Sequence, residues 1–170
     1  MNEHQAPETV VIGVGNPLMG DDGLGIAAVE RLRVGWSFTP PLELLDGGTW
    51  GLNLLPHIER ARRLMLIDAI DLGRDPGTLV ELQGAEIPRF LAHKLSPHQI
   101  DVKEVLAVAE LRGALPDEIV AVGLQPESVE MRTSLSGPVA SRVDDLIERV
   151  IERLRGWGYA AAPLEDGSRA

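Results

Sequence analysis

The chain has 170 residues, 44% of them hydrophobic, no cysteine and a formal net charge of −10. That length suits one globular domain with a full core, and the missing cysteines exclude disulfides, thiolate metal sites and cysteine nucleophiles. The acidic balance argues against a nucleic-acid partner, which needs concentrated Lys and Arg.

Residues 9–15, TVVIGVG, form a continuous apolar run of the kind buried on both faces of a sheet. Asp21 and Asp22 follow where a helix is predicted to begin, and Ile26, Val29 and Leu32 continue inward at helical spacing. Pro40 and Pro41 break the chain before a second strand, LELLDGG (42–48). A helix is predicted from about Trp50 to Arg60, and RLMLIDAI (63–70) is the most hydrophobic strand. The turn signal Asp75-Pro76-Gly77 introduces a strand over 77–83. Residues 84–99 read as a long connection, 100–112 as a helix through Ile100, Val105, Leu106 and Ala109, and EIVAVGLQP (118–126) as a fifth strand. A last amphipathic helix is predicted over 138–155, with Val139, Val143, Leu146, Ile147, Val150 and Leu154 on one face. A single domain over 1–158 is expected, with its core at about 9–155 and a flexible tail over 159–170.

No apolar run approaches the roughly 20 residues of a membrane helix. The N-terminal MNEHQAPE lacks the basic and apolar regions of a signal peptide, so a cytoplasmic protein without membrane contact is expected. Strands alternating with helices imply right-handed βαβ units and a mostly parallel sheet: an α/β fold of three layers, with helices on both faces. In such sheets ligands bind beyond the carboxyl ends of the strands. GVGNPLMGDD follows the first strand, DGGTWG the second, and DAID ends the third, which puts Asp22, Asp46 and Asp68 on one edge.

The opening GVG is a near match to the dinucleotide pattern G-x-G-x-x-G, but Leu18 takes the third glycine position. Asp21-Asp22 would also repel a pyrophosphate at the helix start, so no nucleotide cofactor is expected. Asp21 is explained as a helix cap accepting free N–H groups, which leaves Asp22 free to act. A carboxylate such as Asp68, inside a buried strand, is costly without a partner; the plain alternative is a loop-facing residue that caps a turn with Asp71. His98, in KLSPHQ, has Pro97 to stiffen its loop and Ser96 or Gln99 to orient its ring. His4, His57 and His93 lack such settings and are expected at the surface. Asp46 reads as a turn residue with Gly47-Gly48, or as a further carboxylate on the same edge. Asp22, Asp68 and His98 together suit an open site for a divalent transition metal. The protease signatures HExxH and G-x-S-x-G are absent from the sequence.

GVGNPLMGDDGLG, LLDGGTWG, LMLIDAID, GTL, KLSPHQ and VGLQPESVE, in this order from about Val10 to Leu154, resemble the hydrogenase maturation endopeptidases. The resemblance implies a twisted five-stranded sheet between helices. It implies a protease that removes a short C-terminal extension from the large-subunit precursor of a nickel-iron hydrogenase once nickel has been inserted. By motif position it assigns the metal-contacting residues to Asp22, Asp68 and His98. Asp22 and Asp68 are also expected as catalytic carboxylates, with Asn16, Asp21 and Asp46 in support, and water is activated either by the metal as Lewis acid or by a carboxylate as general base. Gly20 departs from the pattern, since other polar residues are often seen there, without disturbing that set. Nickel is then expected to arrive with the precursor, and the enzyme to act as a monomer. Two alternatives share these residues: a non-catalytic nickel chaperone or assembly factor for the same subunit, and a metal-dependent hydrolase of small molecules.

Overall fold

The computed structural model describes residues 8–92 and 102–165. Strand β1 (Thr9–Gly13) leads through a 3₁₀ turn (Gly20–Gly23) into helix α1 (Leu24–Gly35). Strands β2 (Trp36–Thr39) and β3 (Glu43–Asp46) follow, then the single turn α2 (Gly47–Trp50), a second 3₁₀ turn (Gly51–Leu54) and α3 (Leu55–Arg60). The chain continues through β4 (Arg63–Ala69), β5 (Leu79–Gln83), α4 (Glu86–Ala92), α5 (Val102–Leu111) and β6 (Glu118–Leu124). The last elements are α6 (Gly137–Ala140), α7 (Val143–Gly156) and β7 (Ala160–Pro163).

Five strands form one sheet in the order β3-β1-β4-β6-β5. All neighbours are parallel except β5, which runs antiparallel to β6. The apolar runs predicted as doubly buried strands lie at the centre, and every residue of β1 is buried. Alternation divides their side chains between two cores. Val10, Ile12, Leu64 and Leu66 join Ile58, Phe90, Val105 and Ala109 on the α3, α4 and α5 face. Val11, Met65 and Ile67 join Leu24, Val29, Leu146 and Val150 on the α1 and α7 face. The three-layer, mostly parallel α/β fold follows from these two buried faces.

The structure departs from the sequence reading in several places. Part of the expected flexible tail is a strand: Ala160–Pro163 pairs antiparallel with Trp36–Thr39 as a separate two-stranded sheet. Three alanines and a proline show no hydrophobic alternation, so backbone pairing there leaves no mark on composition. Residues 84–99 contain α4, where Ile87, Phe90 and Leu91 are buried at helical spacing. Pro88 argues against a helix, yet it falls in the first turn, where no intrahelical N–H is lost. His57 is half-buried rather than a plain surface residue. Its Nδ1 meets the Glu43 carboxylate, and its ring lies edge-on to Trp50 with centroids 5.3 Å apart. Among the described residues no helix is long and apolar enough to cross a membrane.

Candidate active site

Strand β1 lies between β3 and β4, and its two flanking connections leave by opposite faces, α1 by one and α3 by the other. The chain therefore parts over the carboxyl end of β1, the place where open α/β sheets leave a crevice for a ligand. The register sets the levels at that edge. Gly13 pairs with Asp46 on one side and Ile67 on the other, and Val14 donates its N–H to the Ile67 carbonyl at 2.8 Å. Asp68 is one residue beyond this level. Asp46 stands across β1 from β4, two strand spacings or roughly 9–10 Å from Ile67.

Two glycines bring the loop carrying Asp22 onto this edge. Gly15 has φ +120°, and a Cβ there would come within 1.8 Å of the Asp22 carbonyl oxygen. A Cβ on Gly25 would come within 2.1 Å of the Ile67 carbonyl oxygen and 2.4 Å of that of Val14, so the start of α1 touches bare backbone of β1 and β4. Gly25→Ala is expected to force α1 off the strands and lower stability by about 1–3 kcal/mol or more. Thermal unfolding checks this; an unchanged midpoint would mean that α1 shifts without cost. Within the loop, Asn16 N–H donates to Asp22 Oδ2 at 2.9 Å, while Asn16 Oδ1 accepts from Leu18 N–H at 2.9 Å. Asn16 thus supports the Asp22 carboxylate through its backbone and the loop through its side chain.

Asp21 does not cap the helix. Among the described residues neither the 3₁₀ turn nor α1 receives a side-chain cap. Because a 3₁₀ turn precedes α1, Asp21 lies inside that turn and reaches the distant segment 127–136. Its Oδ2 accepts from Glu127 N–H at 2.8 Å, Ser128 N–H at 3.1 Å and Ser136 Oγ–H at 2.8 Å, and its Oδ1 accepts from Ser136 N–H at 2.7 Å. Burial works to raise the pKa of this fully buried group. Donation from Ser136, Ser128 and Glu127 more than offsets burial and holds the carboxyl below its ordinary value.

Asp68 is fully buried, and its Oδ1 accepts from Ala69 N–H at 2.8 Å. The turn role weighed for it belongs to Asp71 instead, whose Oδ1 accepts from Gly73 N–H at 3.0 Å and Gln125 Nε2 at 2.8 Å. Donation from Gln125, then from Gly73, lowers the Asp71 pKa against a smaller effect of burial. Asp46 accepts from Gly48 N–H at 2.8 Å and caps α2, as its turn reading expects. His98, like His4 and His93, lies outside the described residues. Among the described residues no three His, Cys, Asp or Glu side chains gather as a metal site.

Two residues were missed in the sequence. Gln125 is buried, accepts from Leu72 N–H at 2.8 Å and Arg74 N–H at 3.2 Å, and donates to Asp71. Ser136 is buried against Asp21. An amide between a buried apolar strand and Pro126 was the available signal for Gln125; Ser136, in a polar stretch, offered none.

A family model described as hydrogenase maturation protease matches residues 26–153. The chain belongs to the hydrogenase maturation protease family. It is 41% identical over 156 residues to the hydrogenase expression/formation protein HoxM of Cupriavidus necator, covering 91% of this chain and 77% of that one. It is 35% identical over 157 residues to the hydrogenase 2 maturation protease of Escherichia coli, covering 92% and 96% of the two chains. The solved structure of the hydrogenase maturating endopeptidase HybD from E. coli superposes with a TM-score of 0.85 at 34% identity, covering 94% of this chain and 99% of that chain. This maturation protease is therefore a peptidase on the HybD fold, which decides against a non-catalytic chaperone and a hydrolase of small molecules.

Proposed function

We propose that this maturation protease removes the C-terminal extension of the nickel-loaded large-subunit precursor of a nickel-iron hydrogenase, and that it reads the nickel through Asp22, Asp68 and His98. The observation that carries this reading is the convergence of the Asp22 turn and the Asp68 strand where the chain parts over β1. Carboxylate and imidazole are ligands nickel accepts readily, and three protein ligands leave positions for those of the precursor. Nickel is here part of the substrate. Docked on these residues, it holds the scissile bond beside Asp22 and Asp68, and the carboxylates are the groups available to take a proton from the attacking water. Asp46 and Asn16 support the edge from its two sides. The enzyme works in the cytoplasm as a monomer that meets its precursor transiently.

The test is a mass measurement on precursor with and without nickel. Loaded precursor is expected to lose its C-terminal peptide at least about 10-fold faster than empty precursor, since metal ligation is part of transition-state binding. His98→Ala is expected to abolish that difference with the fold intact. Equal processing of loaded and empty precursor would refute nickel reading.

A further inference from the structure

We infer that Gln125–Ser136, the segment leaving β6, is a positioning bracket that sets Asp22 and Asp68 relative to each other, with Gln125 and Ser136 as its positioning residues. The inference rests on the proposed site and deepens it. The bracket begins beside β4. Ile70 N–H donates to the Leu124 carbonyl at 3.0 Å, and Gln125 then accepts from the Leu72 and Arg74 N–H groups in the loop after Asp68 and donates to the carboxylate of Asp71. Its own backbone bonds Thr78 and Gly77, both at 2.8 Å, so the amide is anchored on each side.

The far end of the bracket grips the Asp22 turn. Asp21 N–H donates to the Ser128 carbonyl at 3.0 Å and Gly20 N–H to the Arg132 carbonyl at 2.8 Å, while Arg132 N–H donates to the Leu18 carbonyl at 2.9 Å. Buried Asp21 returns the grip by accepting from Glu127, Ser128 and Ser136. One continuous stretch of chain thus ties the residues that follow Asp68 to the residue that precedes Asp22.

Apolar packing holds the end of this stretch, where half-buried Leu135 meets the α1 and α7 core, but not its middle. Val129 is 51% exposed and Met131 87% exposed, so its middle contributes little to either core. A buried carboxylate and a buried amide hold it instead. Such groups are costly to desolvate, and apolar residues of similar size often serve stability as well or better. What they add is directional bonding, which fixes distance and orientation in a way that apolar packing does not. A metal held jointly by two carboxylates needs that kind of precision.

The experiment uses the full chain and nickel-loaded precursor, with Gln125→Leu, Ser136→Ala and Ser136→Thr assayed well below their unfolding temperatures. Gln125→Leu and Ser136→Ala are each expected to lower kcat about 10-fold, the low end for loss of a residue that orients metal ligands. KM for the precursor is expected to stay within about twofold, because only alignment at the reacting centre has changed. Ser136→Thr keeps the hydroxyl and is expected to restore kcat. Folded variants with wild-type kcat, or a loss confined to KM, would overturn the bracket. If Gln125→Leu does not fold, the Ser136→Ala and Ser136→Thr pair decides alone. Asp68→Asn in the same assay separates the two readings: if it also keeps wild-type kcat, the proposed site has failed, and if it alone loses activity, only the bracket has.

Discussion

Asp68→Asn is expected to slow precursor processing by about 10²–10⁴-fold, the range for removing a group that moves a proton in the transition state. The protein is expected to remain folded. Both expectations come from the place of Asp68, a fully buried carboxylate that follows the apolar run Leu64–Ile67 in β4. Asn has nearly the same shape and keeps an oxygen to accept the Ala69 N–H now at 2.8 Å. It removes the negative charge, which is what lets the group take a proton from water. Mass analysis of the precursor and thermal unfolding of the variant check both halves, and a variant that still processes at the wild-type rate would remove Asp68 from the mechanism.

Asp21→Ala is expected to be strongly destabilising, and more so than Asp22→Ala beside it. Asp21 is fully buried and accepts from three backbone N–H groups and a hydroxyl, all in segment 127–136. Each buried donor left without an acceptor costs about 1–3 kcal/mol. Glu127 is exposed, so its N–H recovers water, and the net loss is expected at about 3–4 kcal/mol. For a domain of this size that lowers the unfolding midpoint by roughly 10 °C. Asp22 is half-buried and accepts the Asn16 N–H at 2.9 Å, and a half-buried donor that loses its partner regains water, so Asp22→Ala is expected to cost less than Asp21→Ala. Equal midpoints for the two variants would contradict this division. The pH dependence has a definite sign. The folded pKa of Asp21 lies below the ordinary 3.8, so its contribution is fully present above that value and disappears as pH falls through the folded pKa. The gap between wild type and Asp21→Ala is therefore expected to be constant at neutral pH and to narrow under acid.

The fold was largely legible because burial is written locally. TVVIGVG, RLMLIDAI and EIVAVGLQP are continuous apolar runs because both faces of β1, β4 and β6 are covered, and the stripe from Val143 to Leu154 is apolar because one face of α7 is. The pair β2 and β7 escaped because alanine backbones hydrogen-bond without any side-chain pattern. Helix α4 escaped because Pro88 looks like a breaker until its place in the first turn is known.

At the site, the sequence by itself determined the chemistry: which strands end in carboxylates, that no thiol is present, and that the order of motifs is that of a maturation protease. It also placed those carboxylates on the sheet edge where connections diverge, since strand and helix alternation dictates that edge. Only the tertiary structure decided which of two adjacent, identical side chains serves which purpose. Asp21 and Asp22 have the same local sequence and the same turn, and their roles divide because segment 127–136, more than a hundred residues away in the chain, returns to one of them. The same return puts Gln125 beside Asp71, which frees Asp68 from the turn role and leaves it within its strand. A hydrogen bond between distant segments depends on where the whole sheet brings them, and no window along the chain records that.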